Sequence, residues 1–240
     1  MRRQVMRRRV TSPDVNTGRT LERGPLRKMH PLRLPSPGTG GGTSVMRALE
    51  RRKTTRDISG RKFPLRLLSE LLWAANGVNR RKGPFGLPGR TAASASNSQE
   101  IDVYVAVDEG VYLYDPIGHS LVPVLARDIR PLAISRTQSR MMDAPPVQLL
   151  YVADVDRLSH TAGYQEPGLQ DPEVQKSYYY VDTGLIAGNV YLFGASRGLA
   201  VWFHNCDRNA IARVLNLRTG QRVLFGQTVG YPGRKKRTDV

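Results

Sequence analysis

The sequence predicts an α+β fold in which a mixed, mainly antiparallel sheet is flanked by helices. Three observations predict it. Residues 179–199 are apolar with helical spacing, the alternating runs 101–107 and 111–114 are joined by a three-residue turn, and later strand-like runs are separated by helical ones. A hairpin combined with strands that alternate with helices is typical of this class.

The segment 179–199 predicts a long buried central helix of five to six turns. Asp182, Asn189 and Ser196 recur every seven residues and form one narrow polar stripe, whereas most other positions are apolar or small. A helix that is apolar nearly all round is buried in a large core or against another subunit. The polar stripe makes a membrane span unsuitable, and Gly198 follows where a left-handed C-cap would end the helix.

Shorter elements follow from caps and periodicity. Ser44 is a suitable N-cap for a helix over residues 45–53, and Asp207 is one for a helix over residues 208–215. Two further helices are predicted, an amphipathic one between Pro64 and Gly77 and one over residues 127–142 that is broken at Pro131. Strands are predicted over residues 121–126, 147–153, 199–203 and 221–229, and a polar connection over residues 154–176.

The 240-residue chain can hold one domain with a full core, and its formal charge of +17 lies mainly at its ends. Residues 1–44 carry a net +8 and residues 234–240 a net +3, which leaves +6 for residues 45–233. The first segment is rich in Arg, Pro, Gly, Ser and Thr without apolar periodicity, which is typical of disorder. We therefore expect a disordered basic arm over 1–44, one domain over 45–233 and a basic tail over 234–240.

Motifs for several common chemistries are absent from the sequence. The single cysteine, Cys206, permits no intrachain disulfide and no cysteine-based metal site, and it fits a reducing compartment such as the cytoplasm. The four histidines lack metal-ligand spacing, and neither a phosphate-binding loop nor a nucleophile elbow occurs. No apolar run follows the basic start as in a signal peptide. A cytoplasmic protein without a bound metal is the expectation.

Residues 51–56, Arg-Arg-Lys-Thr-Thr-Arg, bring guanidinium, ammonium and hydroxyl donors together. Arg52 and Arg56 are four residues apart, so in a helical turn they share one face. Phosphate accepts paired hydrogen bonds from arginine and single bonds from hydroxyls. The segment suits a phosphate group, and a solvated basic face explains this stretch alone equally well.

Residues 94–99, Ser-Ala-Ser-Asn-Ser-Gln, directly precede a predicted strand. Their small side chains would let the backbone approach a planar ligand. Asn and Gln amides carry both a donor and an acceptor, so they match a ring edge that has both. The alternative interpretation is an ordinary polar loop.

Taken in order along the chain, these segments and the central helix resemble the nitroreductase-like flavoprotein family. Arg52, Thr54 and Arg56 occupy the places of that family's Arg-x-Ser-x-Arg/Lys signature. The run RTAASASNSQEIDVYV is similar to a family segment that usually has proline where this chain has Ala93. GLAVWFHNCDRNAIARVLNL and QTVGYP resemble the segments after the central helix and at the closing strand. The resemblance covers residues 45–232 and is closest to the SagB-like branch, which includes azoline-oxidising enzymes.

The resemblance implies FMN bound at the interface of an intertwined homodimer. Small residues on the central helix would let the partner's helix approach, namely Gly184, Ala187, Gly188, Gly194 and Ala195. The family's cofactor positions carry over to three regions of this chain and its tail. The phosphate and ribityl chain would be held by Arg52, Lys53, Thr54 and Arg56, and the phosphate site would be completed by Arg234 and Lys235. The polar edge of the ring would be contacted by Ser94, Ser96 and Asn97. The region of flavin N5 would be approached by His204 and Asn205.

The resulting prediction is an FMN-dependent oxidoreductase that cycles its flavin between NADH or NADPH and a small unsaturated acceptor, such as a nitroaromatic compound or a quinone. Because FMN carries the hydride chemistry, no catalytic side chain is predicted. One alternative is a SagB-like flavin oxidase acting on a peptide-derived substrate. Another is a flavin-fold protein that only binds a ligand. A third is a non-enzymatic basic protein whose tails bind nucleic acid, although the core carries no recognition module.

Overall fold

The computed structural model describes residues 29–134 and 145–233 of the chain. Its strands are β1 (Leu32–Arg33), β2 (Val78–Arg80), β3 (Gly89–Arg90), β4 (Ile101–Ala106), β5 (Val111–Asp115), β6 (Ser120–Leu125), β7 (Val147–Asp154), β8 (Ala200–His204) and β9 (Gln221–Gly230). Its helices are α1 (Val45–Arg51), α2 (Leu65–Asn76), α3 (Val155–Ser159), α4 (Pro172–Arg197) and α5 (Arg208–Val214).

Seven strands form the main sheet in the order β1-β6-β5-β4-β7-β9-β8, and β2 and β3 form a separate hairpin. Neighbouring strands of the sheet are antiparallel wherever it is described. The predicted α+β class and the hairpin of β4 and β5 are confirmed. The parallel component that a mixed sheet would have is not found among these strand pairs.

Helices cover both faces of the sheet, and the alternation of side chains along each strand serves both layers. Val103, Val105 and Tyr151 point into a core shared with α2 and α4. Their neighbours Tyr104 and Leu150 point into a second core with α5. All eight residues of β7 are buried, as expected for a central strand that is covered on both sides.

The central helix α4 begins seven residues before the predicted start. Asp171 caps it by accepting hydrogen bonds from the backbone N–H groups of Glu173 and Val174, and Pro172 occupies its first turn. The interpretation of residues 154–176 as a polar connection was therefore wrong for the start of α4 and also for α3. Gly198 ends the helix with φ +66°, which confirms the predicted left-handed C-cap.

Helix α4 is buried on one side only within this chain. Ile186 and Val190 lie in the core, whereas Val181 is 59% exposed and Leu185 44% exposed. The predicted burial of α4 on nearly all sides is therefore not found within one chain. The exposed side is the one available to another molecule.

Two further chain segments differ from the sequence prediction. Leu32–Arg33 pair with β6, and Leu34 is buried and donates its backbone N–H to the carbonyl of His119 at 3.1 Å. Disorder up to residue 44 is therefore wrong for residues 32–34. The helix predicted over 127–142 consists of turns up to residue 134, and the rest of it lies outside the described residues.

No helix in the described ranges has both the length and the apolar character needed to cross a membrane.

We expect Gly194→Ala to lower the free energy of unfolding by about 1–3 kcal/mol, because overpacking a close contact forces neighbours to move. A Cβ on Gly194 would lie 2.3 Å from Cγ2 of Val201, where α4 packs on β8. Gly168→Ala is the control, since nothing lies within 4 Å of a Cβ there. Equal urea midpoints for the two variants would contradict the prediction.

Candidate functional site

The basic segment lies in an extended loop after α1. Arg52 caps the helix with an extended backbone, φ −58° and ψ 121°, so the predicted helix to residue 53 was wrong at its end. Thr55 donates its backbone N–H to the carbonyl of Val201 at 2.9 Å. The segment therefore runs beside β8. Arg52 and Arg56 therefore do not share a helical face.

Each of these arginines lies over an aromatic ring instead. The guanidinium carbon of Arg52 is 5.6 Å from the ring centroid of Tyr191, and that of Arg56 is 5.5 Å from the ring of Trp202. Cation–π contacts of this kind attract the guanidinium to the ring face. Tyr191 belongs to α4 and Trp202 to β8, so the fold sets the position of both charges.

The hydroxyl of Tyr191 joins three elements. It accepts a hydrogen bond from the backbone N–H of Phe203 at 3.0 Å. It lies 3.0 Å from Oγ1 of Thr54, where either hydroxyl can donate. This links the basic segment, α4 and β8 at one point. Thr54 is held with hydrogen-bonding capacity left for a ligand.

A cleft of about 460 Å³ opens beside this point. Its polar lining comprises Arg51, Lys53, Thr55, Asp57 and Tyr191. Of the ion pairs found within residues 29–134 and 145–233, none involves Arg52, Lys53 or Arg56. Cations without carboxylate partners, together with hydroxyl groups, are the donors that a phosphate requires. Of the basic segment, Arg51, Lys53 and Thr55 face the cleft, whereas Arg52, Thr54 and Arg56 do not line it, and the carboxylate of Asp57 does.

The serine segment forms a tight turn before β4. Ser96 and Asn97 have φ values of 49° and 55°, a left-handed backbone that non-glycine residues adopt only when fixed by their surroundings. Ser96 Oγ donates to the carbonyl of Gly163 at 2.6 Å. The Asn97 amide donates to the carbonyl of Pro84 at 3.0 Å and accepts from Gln99 at 2.9 Å.

The hydroxyl of Ser94, unlike that of Ser96, donates no hydrogen bond in the turn. Its Oγ accepts the backbone N–H of Gln99 at 3.0 Å, so its own hydrogen remains for a ligand. Ser96 and Asn97 instead fasten the turn to neighbouring loops.

Helix α4 holds both candidate segments. Asp182 Oδ2 accepts the backbone N–H of Ala95 at 2.9 Å, and Tyr191 contacts Thr54 as described above. At 1.5 Å per residue the two positions are roughly 13 Å apart along the helix. The cleft beside Tyr191 has no lining residue from the serine turn. One chain therefore places the two segments on the same helix without closing them around one cavity.

His204 ends β8 and lies in the core, not in the cleft. Its Nδ1 donates to the carbonyl of Asn205 at 2.9 Å, and in the neutral ring Nε2 accepts the hydroxyl of Thr228 at 2.8 Å. Burial lowers the pKa of His204, and the hydrogen bond to Asn205 opposes this in part. The imidazole is therefore neutral. Asn205 is exposed and its side-chain oxygen accepts from Arg208 at 3.3 Å.

Arg234 and Lys235 lie outside the described residues. Cys206 is buried, and burial raises the pKa of its thiol to about 11. A protonated, inaccessible thiol is a packing residue rather than a nucleophile.

The sequence reasoning missed the aromatic supports of the basic segment and the acids behind the serine turn. Tyr191 lies in the predicted central helix and Trp202 in the strand predicted over residues 199–203, and no contact with the basic segment was predicted for either, although both carry a polar group that a buried aromatic residue usually bonds. Asp182 was placed in a polar stripe with no partner. Glu100 is fully buried beside the turn. An acidic residue directly before an apolar strand is the sequence signal from which its burial could have been predicted.

Comparisons with known proteins agree with this fold. The nitroreductase family model matches residues 49–231. A nitroreductase homologue of Methanocaldococcus jannaschii is 30% identical over 158 residues, which cover 63% of this chain and 73% of that protein. The crystal structure of a nitroreductase homologue from Ralstonia eutropha is 33% identical with a TM-score of 0.73, covering 85% of this chain and 90% of that one.

More distant structures share the fold alone. The NADPH:FMN oxidoreductase from Vibrio harveyi, solved with NAD⁺, is 17% identical with a TM-score of 0.55 and covers 79% of this chain and 69% of its own. A chain of the Escherichia coli microcin synthetase complex McbBCD is 17% identical with a TM-score of 0.61, covering 83% and 77%.

The fold and the family match together define a flavin oxidoreductase. The chain belongs to the nitroreductase family. This confirms the predicted resemblance and the prediction of an enzyme, in preference to a non-enzymatic nucleic-acid-binding protein. The SagB-like branch stays a prediction.

Proposed function

We propose that this protein is an FMN-dependent oxidoreductase that transfers electrons from NADH or NADPH to a small unsaturated acceptor, such as a nitroaromatic compound or a quinone. The observation that carries the proposal is the unpaired basic segment at residues 52–56, fixed against Tyr191 and Trp202. A nucleotide phosphate is the anion that this arrangement suits in a protein of this family.

In this proposal the basic segment binds the phosphate and the ribityl chain. Arg52 and Arg56 donate paired hydrogen bonds from guanidinium groups already oriented over aromatic rings, and Lys53 adds a charge at the cleft. Thr54 supplies a hydroxyl whose position Tyr191 fixes. Preorganised donors lose less entropy on binding than mobile ones. Arg234 and Lys235 would complete the site.

The serine turn would contact the polar edge of the flavin ring. Ser94 has a hydroxyl hydrogen to donate, while Ser96 and Asn97 hold the turn in shape. Exposed Asn205 would approach the N5 region from the end of β8, with buried His204 fixing the backbone behind it.

The site would be completed by a second copy of the chain. Large apolar side chains are exposed on α1 and α4, namely Val45, Met46, Leu49, Val181 and Leu185. Gly184 and Gly188 on the same helix have nothing within 4 Å of a Cβ, so a partner helix can approach closely. Exposed large apolar side chains on two helices that pack together indicate an interaction site. A homodimer with FMN at its interface covers this surface.

Bound FMN would supply the hydride chemistry, so the protein's own contribution is binding, orientation and exclusion of water. The neutral, buried His204 is not placed to transfer a proton. The absence of an acid–base triad from the sequence agrees with this division of roles.

The absorption spectrum of the purified protein tests the proposal. We expect a flavin spectrum, FMN at about one per subunit on release, and bleaching under anaerobic conditions by NADH or NADPH. A protein that neither contains nor takes up FMN would refute the function. Bleaching only by a peptide-derived substrate would replace the nicotinamide donor with the SagB-like alternative.

A further inference from the structure

Two buried carboxyl groups lie behind the serine turn. Glu100 is fully buried just before β4, and Asp182 is 4% exposed on α4. Asp182 accepts the backbone N–H of Ala95 at 2.9 Å, and Glu100 Oε2 accepts the hydroxyl of Ser98 at 2.6 Å. Both acids therefore bond the segment 94–99, one at each end.

The two carboxyl groups bond residues three apart in the same short segment, Ala95 and Ser98, and the charge of Asp182 is one cause of the raised pKa of Glu100. Glu100 Oε1 has no partner among donors and acceptors of the described residues. Two ionised carboxylates cannot bond one another, because both only accept. A proton on Oε1 of Glu100, donated to Asp182, gives both groups a partner.

The groups that face this pair do not neutralise it. Arg157 of α3 approaches Glu100, but its guanidinium is bonded to Asp102, to Asp154 and to the carbonyl of Gln99. The buried Tyr164 hydroxyl is near both acids and has no partner among the described residues. Tyr178 packs edge-on against Tyr164.

Burial and then the charge of Asp182 raise the pKa of Glu100 to about 7, while the bond from Ser98 opposes this. Burial also raises the pKa of Asp182, and the bonds from Ala95 and Glu100 oppose it. The direction agrees with the geometry, since two adjacent buried carboxyl groups do not both ionise readily.

We propose that one proton shared by Glu100 and Asp182 positions the segment 94–99, and that the serine turn keeps its observed form only while this proton is present. Loss of the proton to solvent leaves two buried negative charges near each other. One of the two hydrogen bonds to the turn, from Ala95 to Asp182 or from Ser98 to Glu100, then breaks. Asp182 is part of a 26-residue helix. The turn has left-handed backbone at Ser96, Asn97 and Gln99, which relaxes once it is released.

The consequence for the cofactor rests on the proposed function. If the turn contacts the flavin ring, FMN binds tightly below the pKa of Glu100 and more weakly above it. Glu100 and Asp182 then act as positioning residues that make the affinity depend on pH near neutrality.

Hydrogen exchange of residues 94–99 tests the proposal without relying on FMN. In the native protein, the protection factors, corrected for intrinsic exchange, should fall about tenfold between roughly pH 6 and pH 8. Glu100→Gln keeps a donor to Asp182 but does not titrate, so its protection should stay constant. Asp182→Asn is the second variant, because it leaves a single carboxyl group whose ionised form can accept a hydrogen bond from the amide, so its protection should also stay constant.

FMN affinity over the same pH range is the second readout. A step in the native protein that Glu100→Gln lacks, in both exchange and affinity, supports the full proposal. Equal pH profiles for native and variant proteins in exchange would overturn it. A step in exchange with a constant FMN affinity would overturn the link to the cofactor. Failure to bind FMN at any pH would refute the proposed function but leave the exchange result to decide the positioning role.

Discussion

Replacing Arg52 and Arg56 together by glutamine is expected to weaken FMN binding at least a hundredfold. A hydrogen bond to a charged group contributes about 1.5–3 kcal/mol, and each 1.4 kcal/mol is a factor of ten in the dissociation constant. Two such losses amount to about 3–6 kcal/mol when they add, which corresponds to about a hundredfold or more. Fluorescence titration of the FMN-free protein with FMN gives the constant directly.

The control for this variant is Arg66→Gln. Arg66 carries the same charge, but its side chain is 76% exposed on α2 and makes only a 3.5 Å ion pair with Glu70. Glu70 keeps its shorter ion pair with Arg197 at 2.8 Å in this variant, and a long pair from an exposed arginine contributes little. We expect native FMN affinity and a thermal midpoint close to native for Arg66→Gln. If both variants bound FMN like the native protein, the basic segment would not be the phosphate site.

Leu185→Glu is expected to convert the protein from a dimer into a monomer that no longer retains FMN. Leu185 lies on the exposed face of α4 between Gly184 and Gly188. In a twofold interface each substitution occurs twice, and an unpaired carboxylate buried among apolar groups is strongly unfavourable. Light scattering should give about 54 kDa for the native protein, twice the 26.8 kDa of the chain, and half that for the variant.

Val124→Glu is the matched control for this change. Val124 is 39% exposed on β6. This strand lies toward the edge of the sheet opposite to β8, and α4 contacts β4, β8 and β9 instead. This variant should remain a dimer with bound FMN. A native protein that is monomeric with one FMN per chain would contradict the interface. A Leu185→Glu variant that stays dimeric would move the interface to another face.

Local patterns in the sequence predicted most of the secondary structure. Period-two alternation identified β4 and β5, and the capping residues Ser44 and Asp207 marked the starts of α1 and α5, where their side chains accept the expected N–H bonds. The start of α4 was missed although Asp171-Pro172 is a cap followed by a first-turn proline.

Some predictions from the basic segment depended on an assumption about local structure that the tertiary contacts overrode. Arg52 and Arg56 were paired through a helical turn. In the structure Thr55 bonds Val201, and the backbone becomes extended beside β8. The arginines are instead oriented by rings that lie far away in the sequence.

The sequence by itself determined the α+β class, most of the strands and helices, and the family, because these follow from periodicity, caps and residue order. Only the tertiary structure decided how the candidate site is supported. Thr54 and Tyr191 are 137 residues apart, and Ala95 and Asp182 are 87 apart. The neutral state of His204 and the shared proton of Glu100 likewise depend on burial by distant segments. No local pattern encodes such contacts, because they exist only once α4 packs on the sheet and brings the segments together.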